Sequence, residues 1–151
     1  MNDMAPWSTD AATEVGAAIL LLGGMVAEIA TGATTAQRRA FFRAVGARIA
    51  ATHPVGDAQD IESLAASINR LWQQNDCGEV RFELAPDGVL ITHTGFGRRL
   101  SRILGASTEQ VLRPLLEGAY DAWLHSLGSS PILTTKTLWW NDMEVRLKHG
   151  R

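Results

Sequence analysis

The sequence predicts an α+β domain, with helices packed on one antiparallel sheet of about four strands in the order α-α-α-β-β-α-β-β. Two observations carry this. Apolar residues recur three and four apart in four separate segments, the spacing of a helix with one buried face. In two other places the period changes to two, each time as a pair of short runs joined by turn-forming residues. A length of 151 residues suits one domain with an adequate core, read as an N-terminal arm over 1–12 and a single domain over 13–151.

Residues 1–10 contain Pro6, Trp7 and the capping residues Ser8, Thr9 and Asp10, and read as a loose arm. The first helix is expected from about Ala11 to Ile29, with Gly23-Gly24 as a bend or a close helix crossing. Its run Ala17 to Leu22 looks like the core of a secretory signal, but Asp3, Asp10 and Glu14 precede it where a signal carries positive charge. Glu28 closes it short of a bilayer span, so the expectation is a buried amphipathic helix and no membrane insertion. Gly32 then caps it, and Thr34 or Thr35 starts a second helix over about Ala36 to Thr52. Phe41, Phe42, Val45 and Ile49 form its apolar side, and Arg38, Arg39, Arg43 and Arg48 its polar side. Four arginines on one helix suit an anion. The ordinary reading is a solvated face or ion-pair partners, with Asp57 and Glu62 as candidates.

A third helix is expected over about Ala58 to Asn75, on the stripe Ile61, Leu64, Ile68, Leu71 and Trp72, ending at Gly78 in a left-handed cap. Val80, Phe82 and Leu84 then alternate with charged residues, Ala85-Pro86-Asp87-Gly88 is a tight turn, and Val89 to His93 returns as the second strand. Thr94 to Ala106 reads as a mobile or interface-forming connector. Its Gly95-Phe96-Gly97-Arg98-Arg99 run lacks the ending and spacing of a phosphate loop.

The most informative run follows. Leu112, Leu115, Leu116, Ala119, Tyr120, Trp123 and Leu127 make one apolar stripe. Pro114 belongs in a first turn, so the main helix is expected to start close to Arg113, with Ser107 to Gln110 capping a short turn before it. Gly118 lies mid-helix at a cost of roughly 1 kcal/mol, which a close backbone neighbour would explain. Ile132 to Trp140 and Met143 to His149 read as a second hairpin. Ile132, Thr134, Lys136, Leu138 and Trp140 are expected on one face, and Leu133, Thr135, Thr137 and Trp139 on the other.

A formal net charge of −2 favours neither nucleic acid nor an anionic membrane surface. The single Cys77 excludes an intrachain disulfide framework and agrees with a reducing compartment. His53, His93, His125 and His149 show no metal-ligand spacing, and no cofactor motif is present. Cys77 with a histidine is the one candidate nucleophile, but its place at a helix end is ordinary for a small residue. Glu79 and Glu83 share a strand face, as exposed alternating charges do. Trp72 and Trp123 sit on apolar stripes and read as core. Trp7 and one of Trp139 and Trp140 are left for an interface or a sugar-stacking surface.

An ordered series of segments resembles the D component of bacterial cellulose synthase, also called cellulose synthase operon protein D. Arg43-Ala44-Val45-Gly46-Ala47-Arg48-Ile49-Ala50 resembles its R-x-V-G-x-R-x-A segment. Ile68-Asn69 followed by Gly78-Glu79-Val80-Arg81-Phe82 resembles its helix-into-strand junction. Leu116-Glu117-Gly118-Ala119-Tyr120-Asp121-Ala122-Trp123 resembles its L-E-G-L-Y-x-x-W signature, with Ala119 in place of the usual leucine. The likeness runs from about Ala17 to Arg151 and is weakest over the arm. It implies a non-enzymatic accessory protein without cofactor, assembled as a homo-octamer (a tetramer of dimers), that orders crystalline cellulose export with the other synthase components. It marks Arg43, Gly46, Asn69, Gly78, Leu116, Glu117, Gly118, Tyr120 and Trp123 as signature residues. Trp7, Ser8 and Thr9 become candidates for contact with β-1,4-glucan chains, and Leu20, Leu21, Trp139 and Trp140 for the contacts between copies. The expected location is the cytoplasm, with the periplasm as the alternative. The rival from another class is a small-molecule-binding sensor domain with a closed apolar pocket.

Overall fold

The computed structural model describes residues 7–151, and side chains from residue 15 onward. The first helix, α1, spans Trp7–Gly32, α2 spans Thr35–Thr52 and α3 spans Ile61–Gln74. Strands β1 (Glu79–Ala85) and β2 (Gly88–Thr94) form the first hairpin. A short helix, α4 (Gly97–Leu104), leads through a 3-10 turn into α5 (Thr108–Ser126). Strands β3 (Thr134–Trp140) and β4 (Glu144–Gly150) close the chain. The four strands are antiparallel in the order β1-β2-β4-β3, so the two hairpins join through their second strands. The expected fold class and element order hold, with α4 added.

Helix α5 lies between the inner face of the sheet and α2, and its stripe is the centre of the core. Leu116, Ala119, Tyr120 and Trp123 are buried almost completely, in one core with Val80, Ile91, Val145 and Leu147 of the sheet. Leu127 falls past the end of the helix and is exposed. The close neighbour expected at Gly118 is α2. A Cβ at Gly118 would overlap the carbonyl of Arg43, and a Cβ at Gly46 would overlap that of Leu115. The two glycines let the backbones of α2 and α5 touch, and their packing gain offsets the helix-propensity cost.

Several boundaries differ from expectation. Helix α5 starts at Thr108, so Pro114 stands inside it rather than in its first turn. The carbonyl left without a helical donor is that of Gln110, an exposed residue. Ser107 makes no capping bond; the Thr108 hydroxyl donates to the Gly105 carbonyl at 2.6 Å instead. The connector is helical over α4, with Phe96 and Leu104 buried as its anchors. Helix α3 starts at Ile61 behind an Asp60–Ser63 capping box. At its other end Asp76, not Gly78, takes the left-handed position, with φ 53°. Gly78 (φ 79°) opens β1 where a side chain would collide with the Thr94 carbonyl. Helix α1 starts at Trp7 instead of about Ala11 and runs through Gly23-Gly24, neither of which has a neighbour near its missing Cβ.

Strand β3 carries a bulge between Thr137 and Trp139. Thr137 pairs with Leu147 and Trp139 with Arg146, leaving Leu138 without a partner. The extra residue shifts the alternation, so Trp139 joins Lys136 and Leu138 on the outer face while Trp140 packs toward the core. This reverses the faces expected for the two tryptophans, because strict period two cannot reveal an inserted residue.

Side chains from the helices cap the β3 edge of the sheet and the start of its β1 edge. On β1, the Asn69 side chain donates to the Val80 carbonyl at 3.0 Å and accepts from its N–H at 2.6 Å. On β3, the Thr135 N–H donates to Asp121 at 2.8 Å, the Thr137 N–H donates to Glu117 at 3.0 Å, and Arg43 donates to the Thr135 carbonyl at 3.2 Å. At Val80, Thr135 and Thr137, backbone groups that would template another strand are thereby occupied.

Candidate functional site

The buried ionisable groups His93, Glu117 and His149 are each engaged by neighbouring side chains or backbone. Among the described residues no group of three His, Cys, Asp or Glu side chains is placed to hold a metal ion. Cys77 is half-buried and its thiol donates to the Asn75 carbonyl; burial pushes its pKa up, away from a reactive thiolate. His93 is fully buried in a chain of hydrogen bonds. Its Nε2–H donates to the Cys77 carbonyl at 2.8 Å, its Nδ1 accepts from the Tyr120 hydroxyl at 2.5 Å, and Trp72 donates to that hydroxyl oxygen at 3.2 Å. Every partner is satisfied, and burial holds His93 down to about 4, so the ring stays neutral.

Ser129, His149 and Asp121 form a cluster that sequence reading missed, since no motif spacing links them. Ser129 Oγ lies 2.5 Å from His149 Nε2, as in a nucleophile–base pair. The other ring nitrogen bonds Thr135 Oγ1 at 2.9 Å, with Asp121 3.6 Å away and itself engaged by Arg43 at 3.2 Å. The His149 ring is 2% exposed, leaving no room for a substrate beside it. The cluster fastens β4 to the end of α5.

The arginine face of α2 is an ion-pair face, with partners other than Asp57 and Glu62. Glu117, 1% exposed, receives Arg39 at 2.6 Å and Arg43 at 3.3 Å, and also accepts from the Thr137 hydroxyl at 2.9 Å. The pairing lay hidden because Glu117 sits 78 residues after Arg39, on a different helix. Arg38 turns back instead, donating to the Ala30 carbonyl at 2.8 Å.

The residues marked by the resemblance therefore serve packing. Gly46 and Gly118 make the α2–α5 crossing, Arg43 and Glu117 the buried ion pair, Asn69 and Gly78 the start of β1, and Leu116, Tyr120 and Trp123 the core.

Helix α1 is the exception to this internal closure. Among its described residues only Val26 of the large apolar ones is buried, while Leu20 is 80% exposed and Leu21 66%. The expectation of a buried helix does not hold within one chain. Its segment Val15–Gly32 has mean hydropathy 1.8 and is long and apolar enough to cross a membrane by length and composition, which corrects the short span read from the Ala17–Leu22 run. An open apolar cleft of about 760 Å³ runs along Ala17, Leu20, Leu21, Met25, Ile29 and Phe41. Beside it lies an apolar cavity of about 460 Å³, walled by Val26, Phe42, Val45, Trp72, Phe96 and Leu115. Trp7, Ser8 and Thr9 fall in the first turn of α1, and their side chains, like residues 1–6, lie outside the described residues.

A model of the family of cellulose synthase D subunits matches residues 11–150, nearly the whole chain. The chain belongs to that family. No curated protein matches it. Membership assigns it a role in cellulose synthesis, as an accessory rather than the catalytic component, in association with a cellulose synthase complex. In this member of the family the signature residues build a closely packed α2–α5–sheet body, and an apolar helix lies outside it.

Proposed function

We propose that the protein is a non-catalytic scaffold that assembles into a ring-like homo-octamer, a tetramer of dimers, through α1. In this role it organises synthase complexes and promotes ordered, crystalline cellulose export. The exposed apolar surface of α1 carries the reading. A chain that caps its β3 edge and pairs its buried Glu117 leaves Leu20, Leu21 and Met25 open to solvent. Apolar area of that kind is driven out of water by association. Glucan chains are guided by the assembled ring, with Trp7, Ser8 and Thr9 as candidate contacts. We place the ring in the cytoplasm, in keeping with the single Cys77.

Light scattering on the purified protein tests this. A mass near eight chains of 16.4 kDa supports the ring. A monomer at micromolar concentration, or a chain that partitions into detergent and lipid, refutes assembly through α1 in solution. Fractionation of cells tests the location: recovery with periplasmic contents overturns it. A second reading, a small-molecule-binding regulatory domain, is favoured by the apolar cavity beside α1. It predicts a monomer or dimer whose melting temperature rises with an apolar ligand.

A further inference from the structure

The outer face of the sheet is uncovered, and its chemistry points to a ligand. Three pairings align one row across all four strands: Arg81 opposite Thr92, Thr92 opposite Arg146, and Arg146 opposite Trp139. At an inter-strand spacing of about 4.8 Å the row is roughly 14 Å long. A cleft of about 360 Å³ follows it, bordered by Arg81, Thr92, Leu138, Glu144 and Arg146. Trp139 stands at the β3 end of the row, next in the chain to Leu138 of the cleft, 45% exposed, with the Arg146 guanidinium 5.2 Å from its ring centroid and Glu144 2.6 Å from that arginine. The bulge at Leu138 is what puts the tryptophan there; without it, alternation would turn Trp139 inward.

We propose that this face binds a β-1,4-glucan chain, with Trp139 as the stacking platform and Arg81, Thr92, Glu144 and Arg146 as hydrogen-bonding partners. The proposal rests on the reading that the protein meets glucan during cellulose synthesis. A glucan is neutral, flat and bordered by hydroxyls, with C–H faces that stack on an indole. The surface matches those properties. Its cations, Arg81, Lys136, Arg146 and Lys148, are balanced by Glu79, Glu83, Glu144 and the Asp87 that pairs with Lys148. A nucleic acid or acidic peptide asks for an excess of positive charge. A second copy of the sheet would bury this charged lattice around little apolar area, which is costly. A neutral polyol exchanges hydrogen bonds with paired planar side chains at little electrostatic cost, and the Arg146 contact holds the indole ready for it.

The test is calorimetric titration of the full-length protein with cellohexaose, with light scattering run on every variant. Trp139→Ala is expected to weaken binding about tenfold or more, as loss of an aromatic anchor does, while Trp139→Phe retains most of it. Arg146→Ala weakens binding less, by freeing the ring. Asp57→Ala, in the exposed turn between α2 and α3, leaves the affinity unchanged. Three results overturn the proposal: a wild type that binds no cellohexaose at millimolar concentration, a Trp139→Ala variant that binds it as well as the wild type, or a Trp139→Ala variant whose assembly mass changes, which makes the face a contact between copies. The first two leave an octameric mass, and so the scaffold reading, intact. A wild type that binds cellohexaose through Trp139 without forming an octamer supports the glucan face and removes the ring.

Discussion

At the residue scale the glycines divide by what surrounds them. Gly46 and Gly118 are pressed against the backbone of a neighbouring helix, and Gly23 and Gly24 face open space. Gly118→Ala must push α2 off α5 and is expected to destabilise the chain by about 3 kcal/mol in urea unfolding. Gly24→Ala gains helix propensity and should stabilise α1 by up to about 1 kcal/mol. Equal effects at the two sites would sink this account of the crossing. His93 supplies a pH dependence. Burial lowers its folded pKa from 6.5 to about 4, with the bond to the Cys77 carbonyl partly opposing. The unfolded chain takes up the proton first, so this stabilisation is complete above about pH 6.5 and is lost as pH falls toward 4. The loss is about 2 kcal/mol by pH 5. Urea midpoints at neutral and acid pH should show it, and His93→Gln should flatten that part of the profile while lowering stability overall.

At the element scale, strand β3 depends on side chains from two helices. Glu117 joins the Arg39 and Arg43 guanidinium groups to the Thr137 N–H and hydroxyl. Glu117→Ala leaves those donors without their acceptor, with an expected cost of about 3 kcal/mol. Amide exchange at Thr137 should accelerate more than at Leu147, which sits inside the ladder; unchanged protection would refute the edge-closing role. Helix α1 is held differently. It meets the body through Val26 and partly buried Ile29, while Leu20 and Leu21 point into solvent. Leu20→Lys with Leu21→Lys should therefore reduce the assembled mass with little change in the unfolding midpoint of the body. A variant that keeps its full mass removes α1 from the interface.

At the scale of the whole molecule, the body is complete in one chain and the surface is not. The sheet has its inner face on α5, its β3 edge and the start of its β1 edge capped by helix side chains, and its outer face uncovered, while α1 leaves Leu20 and Leu21 in solvent. The helical stripe from Leu112 to Trp123 and the alternation in β1 and β4 were readable, because each follows from a local period that burial on one face imposes. The Ser129–His149 contact and the Arg39–Glu117 pair were not, because they join residues distant in the chain. The register of β3 was misread for a related reason. Its bulge is set by pairing with β4 and leaves no mark on the local pattern.

The sequence by itself determined the fold class, the order of helices and hairpins, the place of Gly118 against a close neighbour, and the family resemblance. These rest on periodicity and residue type, which are properties of short windows. Only the tertiary structure decided which backbone meets Gly118, which carboxylates answer the α2 arginines, which tryptophan faces out, and that α1 stays uncovered. Apolar composition states that removal from water is favourable, and not whether the chain's own fold supplies it; this chain buries Leu116 against its own sheet and leaves Leu20 exposed.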